Sequence, residues 1–224
     1  MSHSSQHAPG EALGLLVEGA WRLYHQAEAS PFVVRPSIPI LFFGDSQRYF
    51  RSALKVITVG LNPSLAEFPV DDPFTRFAQA KHVYPGILCG QYSVDYLHAL
   101  NDYFRCAPYK RWFNAFEPLL NGMESSFYDG QTNTALHTDL CSPLATNPTW
   151  SRLTDEKARL EVEGVPLWHQ LVRHLTPDVI LVSIARRYLA QLDFTSPHQT
   201  SPAHPSNWWG RSVADDRQPL TGRH

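Results

Sequence analysis

Leu54-Lys-Val-Ile-Thr-Val-Gly60-Leu-Asn-Pro-Ser64 is the stretch on which the fold turns. Its first half is apolar and β-branched and stops at a glycine, which predicts a strand, and its second half is a polar turn. Asp178-Val-Ile-Leu-Val-Ser183 predicts another strand, apolar enough to be buried in a parallel sheet, with a helical segment from Ala185 to Leu192 after it. Two further strands are predicted at Ile40-Leu-Phe-Phe43, closed by Gly44-Asp-Ser46, and at Thr134-Ala-Leu-His-Thr-Asp-Leu140.

Between these runs the pattern changes to helical. Leu13, Leu16, Val17, Ala20, Trp21 and Tyr24 recur at helical spacing and predict an amphipathic helix over 11–29, ended by Pro31 to Pro39. Pro69 to Gly122 is expected to be mainly helical, with turns at Pro85-Gly86 and Pro108. Thr154 caps a helix that runs from Lys157 to Leu175, with a break expected at Gly164-Val-Pro166. Strands alternating with helices imply an α/β fold: three αβα layers around a central, mostly parallel four-stranded sheet, with ligands bound beyond the carboxyl ends of the strands.

A chain of 224 residues with 43% hydrophobic content suits a single domain over 1–224 with a sizeable core. No run is long or apolar enough to cross a membrane, and the polar start, Met1 to Gly10, lacks the features of a signal peptide, so a cytoplasmic monomer is expected. Three cysteines, Cys89, Cys106 and Cys141, lie far apart without a Cys-x-x-Cys pair. That pattern suggests neither a disulfide framework nor a zinc site, and an iron–sulfur cluster needs a fourth thiolate; no metal and no cofactor is expected. A net charge of −2 confines any nucleic-acid contact to local patches, of which two mix cations with aromatics: Arg105 to Trp112, and the tail carrying Trp208, Trp209, Arg211, Arg217 and Arg223. Solvated helix faces and a polar terminus account for them equally well.

Three polar segments fall at strand ends or in the loops beyond them: Gly60 to Ser64, Thr138 to Pro143, and His204-Pro-Ser206. In motif type, order and intervening strands, residues 54 to 210 resemble the uracil-DNA glycosylase superfamily. Its first motif is a strand ending in a Gly-x-Asn/Asp-Pro turn, and its last is a His-Pro-Ser loop. Gly, Asn and Pro also make ordinary turns, so the resemblance rests on the pairing of the two motifs.

The resemblance implies a DNA glycosylase that flips a nucleotide out of the helix and hydrolyses its base–sugar bond. That reaction builds positive charge on the sugar and negative charge on the departing base. Asn62 is then the residue that positions water and His204 the donor to the base oxygen that gains charge. An amide is no strong base, so Asn62 would orient the water rather than deprotonate it. Gly60, Leu61 and Ser64 would line the base site with Phe68, an aromatic placed to stack on the base; core packing accounts for Phe68 equally well. Ser142, Ser206 and the loop Asn207-Trp208-Trp209-Gly210-Arg211 would touch DNA, either as a wedge or, for the tryptophans, as a hydrophobic lid.

Asp139 is the departure. Many relatives carry at this strand end an Asn that donates and accepts toward uracil, whereas an ionised Asp only accepts. It suits an amino group such as cytosine N4 and opposes uracil O4, which points to a cytosine-derived or otherwise modified base, removed for repair or for defence against phage; capping of the loop near Ser142 is its alternative role. No Lys stands where a Schiff-base nucleophile is recognised, so the expected product is an abasic site. Two other readings remain: a GDS-type esterase using Ser46, although Ser201 stands three residues before His204 where such enzymes carry Asp, and a non-catalytic nucleic-acid-binding module.

Overall fold

The computed structural model describes residues 9–27, 29–81, 84, 94–154 and 156–192. The chain divides into two compact units, Met1–Gln191 and Leu192–His224. His204, Ser206, Trp208, Trp209 and Arg211 lie outside the described residues, as does Cys89.

The sheet grows from the opening stretch. Strand β1 (Val56–Gly60) is buried along its whole length. It pairs in parallel on one side with β4 (Leu136–Asp139) and on the other with β5 (Val179–Val182), giving the order β4-β1-β5. Two short strands, β2 (Ser125–Ser126) and β3 (Asn133–Thr134), form a separate parallel pair. The architecture is α/β, but among the described residues the central sheet has three strands where four were expected.

Ile40–Phe43 is the missing fourth. The run is buried as an apolar strand would be, yet it meets β4 through one antiparallel bridge, Phe43 to His137. The amide of Ile40 donates instead to Pro143 O at 2.7 Å, so the segment crosses the sheet edge rather than running along it. Two other expectations change. The strand expected over 134–140 is split between β3 and β4, and β5 is half-buried because it forms an edge of the sheet among the described residues.

Helix α1 (Pro9–Gln26) matches the amphipathic pattern, with Leu16, Ala20, Trp21 and Tyr24 buried. Helix α2 (Ser46–Arg51) is capped by Asp45, whose carboxylate accepts from Arg48 N. Between Pro69 and Gly122 the helices are short: α3 (Val94–Asn101), α4 (Lys110–Phe113) and α5 (Glu117–Asn121). Helix α6 (Glu156–Leu175) runs through Pro166 without the expected break. Pro166 and Val162 both face solvent, so water can satisfy the carbonyl that proline leaves without a partner, while the buried side keeps its packing.

Alternation along β1 and β4 sorts their side chains onto two faces. Ile57, Val59, Leu136 and Thr138 share the face that takes α6, where the Trp168 indole donates to Thr138 Oγ1 at 3.0 Å. Thr58, Gly60, His137 and Asp139 share the opposite face, beneath an aromatic cluster that includes Phe43, Phe77, Tyr103, Phe104 and Phe113.

Gly164 sets how closely α6 approaches. A Cβ at this position would stand 2.1 Å from Cys141 O, so the helix rests directly on backbone at the end of β4. Gly164→Ala, which in a free helix gains about 1 kcal/mol, is therefore expected to lose about 1–3 kcal/mol through overpacking. Urea denaturation checks the sign; an alanine variant as stable as the parent contradicts the close approach.

Candidate functional site

The hydrogen bonds between β1 and β4 continue past the strands. Leu140 N donates to Gly60 O, Cys141 N to Leu61 O and Thr146 N to Pro63 O, at 2.8–3.1 Å. Two polar turns that follow different strands are thereby held side by side. They form one wall of a cavity of about 660 Å3, within the usual range for small-molecule sites. Gly60, Leu61, Asn62, Ser64 and Asp139 all line it, and its other walls include Phe43, Tyr109, Trp112, Phe113 and Trp150. Among the described residues no Lys or Arg lines it.

Asn62 is clamped. Its Nδ2 donates to Pro63 O at 2.6 Å, Leu144 O at 3.1 Å and Thr146 Oγ1 at 3.0 Å. Two of these partners are carbonyls, which only accept, so the amide nitrogen must face them. The orientation is thereby decided. Oδ1 is the free end, and no described residue donates to it.

Asp139 stands directly over Gly60. A Cβ on Gly60 would come within 2.6 Å of Asp139 Oδ1, so the glycine makes room for the carboxylate. The same oxygen lies 3.6 Å from His137 Nε2, and His137 Nδ1 is 2.6 Å from Thr58 Oγ1. The loop-capping alternative finds no support: Ser142 Oγ itself accepts from Leu144 N, and no described backbone amide bonds Asp139.

The remaining expected residues sit elsewhere. The Phe68 ring is buried, stacks on Phe77 with centroids 5.4 Å apart and does not line the cavity. Ser142 is buried outside the lining. In the basic patch, exposed Arg105 is engaged by Asp45 at 2.6 Å and Asp102 at 3.1 Å, and Lys110 and Arg111 are further exposed cations beside the half-exposed Trp112. Ser46 Oγ donates to Asn101 Oδ1 at 2.8 Å and lies outside the cavity lining.

Among the lining residues that sequence reasoning passed over are His137, Glu67 and Trp150. His137 was legible, because two-residue alternation puts it on the same face as Asp139. Glu67 had a weaker signal. Ser64-Leu-Ala-Glu67 has the Ser-x-x-Glu spacing of a capping box, and Ser64 does cap the short 3-10 turn Leu65–Glu67 by accepting from Ala66 N. The glutamate, however, turns inward to accept from the Tyr103 hydroxyl at 2.5 Å. Trp150 gave no signal; its indole N–H is buried and has no partner among the described residues.

Burial dominates the electrostatics of Glu67. It raises the carboxyl from 4.5 to about 7; the Tyr103 hydrogen bond and Arg76 pull it down, and Asp139 pushes it further up. Tyr103 is raised in turn, first by burial and then by Glu67. Arg76 is held by carbonyls, its Nε donating to Ala66 O at 2.9 Å and its Nη1 to Ala107 O, and it forms no ion pair with Glu67.

No family model matches the chain, and no curated protein and no solved structure is found similar to it.

Because the folded-state value of Glu67 lies above the unfolded one, its contribution to stability is whole below about pH 4.5 and is lost as pH rises through about 7. The shift corresponds to about 3 kcal/mol. Thermal melts of the protein are expected to fall between pH 5 and pH 8, and Glu67→Gln is expected to flatten that fall. Parallel curves for the two proteins would contradict the assignment.

Proposed function

We propose that the protein is a monofunctional DNA glycosylase, hydrolysing the bond between deoxyribose and a flipped, amino-bearing base. The observation that carries the reading is the clamped Asn62 amide, whose free oxygen is available as a hydrogen-bond acceptor in an aromatic-walled cavity that it shares with Asp139. A water donating to Asn62 Oδ1 has its oxygen lone pairs free for C1′ of the sugar. An amide need do no more, because a sugar cation, once formed, accepts a weak nucleophile. The aromatic walls suit a planar base, and the absence of Lys and Arg from the lining among the described residues favours a neutral ligand over an anionic one.

Asp139 is proposed to accept from an exocyclic amino group, which favours cytosine-derived bases over uracil. Exposed Lys110 and Arg111, next to the wall residue Trp112, supply cations for neighbouring phosphates. The resemblance further implies a donor to the departing base at His204 and a wedge or a lid at Trp208-Trp209, all of which lie outside the described residues. No observation favours the esterase reading, since the Ser46 hydroxyl is directed at Asn101 rather than at a histidine.

A base-release assay tests the proposal on duplexes carrying uracil, 5-methylcytosine, 5-hydroxymethylcytosine and phage-type modified cytosines, with released bases identified by mass. Release from an amino-bearing member is expected, leaving alkali-labile sites. Asn62→Ala should slow it on the order of 100-fold or more, and Asp139→Asn should move preference toward uracil. Binding of these duplexes without release of any base would favour the non-catalytic module instead. Robust uracil removal that Asp139→Asn leaves unchanged would overturn the role given to Asp139.

A further inference from the structure

One buried group in the cavity has no part in positioning water or reading an amino edge. Glu67 lines the same cavity as Asn62 and Asp139, 5% exposed, on the turn that Ser64 caps. The proton arrangement around it follows from which atoms can only donate. Tyr109 N donates to the Tyr103 hydroxyl oxygen at 3.0 Å, and a backbone amide has no other role. The single Tyr103 proton is therefore directed at Glu67 Oε2, 2.5 Å away. Oε2 is the accepting oxygen, and a proton on the carboxyl resides on Oε1, for which no described residue is a partner.

Building on the glycosylase reading, we propose that Glu67 is the general acid of this site: Oε1–H protonates the departing base as the C1′–N bond breaks. The electron pair of that bond goes to the base nitrogen, and the base takes the Glu67 proton at a ring nitrogen or carbonyl oxygen. The water held by Asn62 bonds its oxygen to C1′ and its displaced proton returns to the Glu67 carboxylate, so base and abasic sugar leave with the atoms of one water shared between them. The substrate class follows. A base with an amino group in place of a carbonyl leaves as a less stable anion and gains more from an acid than uracil does. The acid and the amino-accepting Asp139 thus select the same kind of base.

The groups facing Glu67 are consistent with the neutral form working near neutral pH. Tyr103 and Arg76 favour the carboxylate and Asp139 opposes it; His137 adjoins Asp139; burial outweighs them all.

Single-turnover release of 5-methylcytosine and 5-fluorocytosine from otherwise identical duplexes tests the inference between pH 5.5 and pH 8.5. The two bases share an amino edge and differ in leaving ability. The rate for the parent protein is expected to fall as pH rises through about 7, approaching tenfold per pH unit. Glu67→Gln keeps size and hydrogen bonding but cannot give up a proton. It should lose that pH limb and slow 5-methylcytosine release on the order of 100-fold or more, with a smaller loss on 5-fluorocytosine. Glu67→Asp, which restores an acid, should recover part of the rate and the pH limb. Equal losses on both bases with the parent pH profile retained, or no loss at all, overturn the general acid and leave the glycosylase reading standing. Release of neither base by the parent protein at any pH overturns this inference, and the amino-base reading beneath it falls with it only if the other amino-bearing duplexes of the wider panel are also left intact.

Discussion

The seam of backbone hydrogen bonds between β1 and β4 does not stop where the strands stop, and the site depends on that continuation. Leu140, Cys141 and Thr146 donate in turn to Gly60, Leu61 and Pro63, so two turns from distant parts of the chain are locked in one register. Leu144 O and Thr146 Oγ1 reach the Asn62 amide only because of that register. A slip of one residue would send His137 and Asp139 to the α6 face and Thr138 to the cavity face. The buried pattern on both faces holds the register, with Trp168 bonded to Thr138 on one side and His137 bonded to Thr58 on the other.

Around this seam the protein builds a polar floor under aromatic walls. Carboxyls of Asp139 and Glu67, the His137 imidazole and an oriented amide line one cavity together. Where a group there is buried, as Glu67 is, each hydrogen bond and each charge counts for more than at the surface. Glu67 shows the consequence: burial raises its carboxyl to about 7 although the Tyr103 hydrogen bond pulls it down.

Much of this was legible in the chain itself. The β-branched run Val56 to Val59, the glycine after it and the matching run Val179 to Val182 specify parallel strands through side-chain shape and apolarity, which act over a few residues. The amphipathic spacing of α1 is equally local. The Gly60 to Ser64 turn and Asp139 were found by their chemistry, and both line the cavity. Ile40–Phe43 was misread because an apolar run records burial and not its partner; only the competition of Pro143 O for the Ile40 amide made it a crossing segment. Pro166 was misread because local propensity forbids what tertiary packing of α6 imposes.

By itself, then, the sequence determined the strands at the heart of the sheet, the polar turn at Gly60 to Ser64 and the carboxylate at the end of β4, because periodicity and side-chain type are local properties. Tertiary structure alone decided the rest. It sent Phe68 into the core against Phe77, brought Glu67 from a capping position to Tyr103, and seated Asp139 over a glycine with no side chain to obstruct it. Each of these outcomes depends on contacts between residues far apart in the chain, and the spacing of residues within one segment carries no record of them.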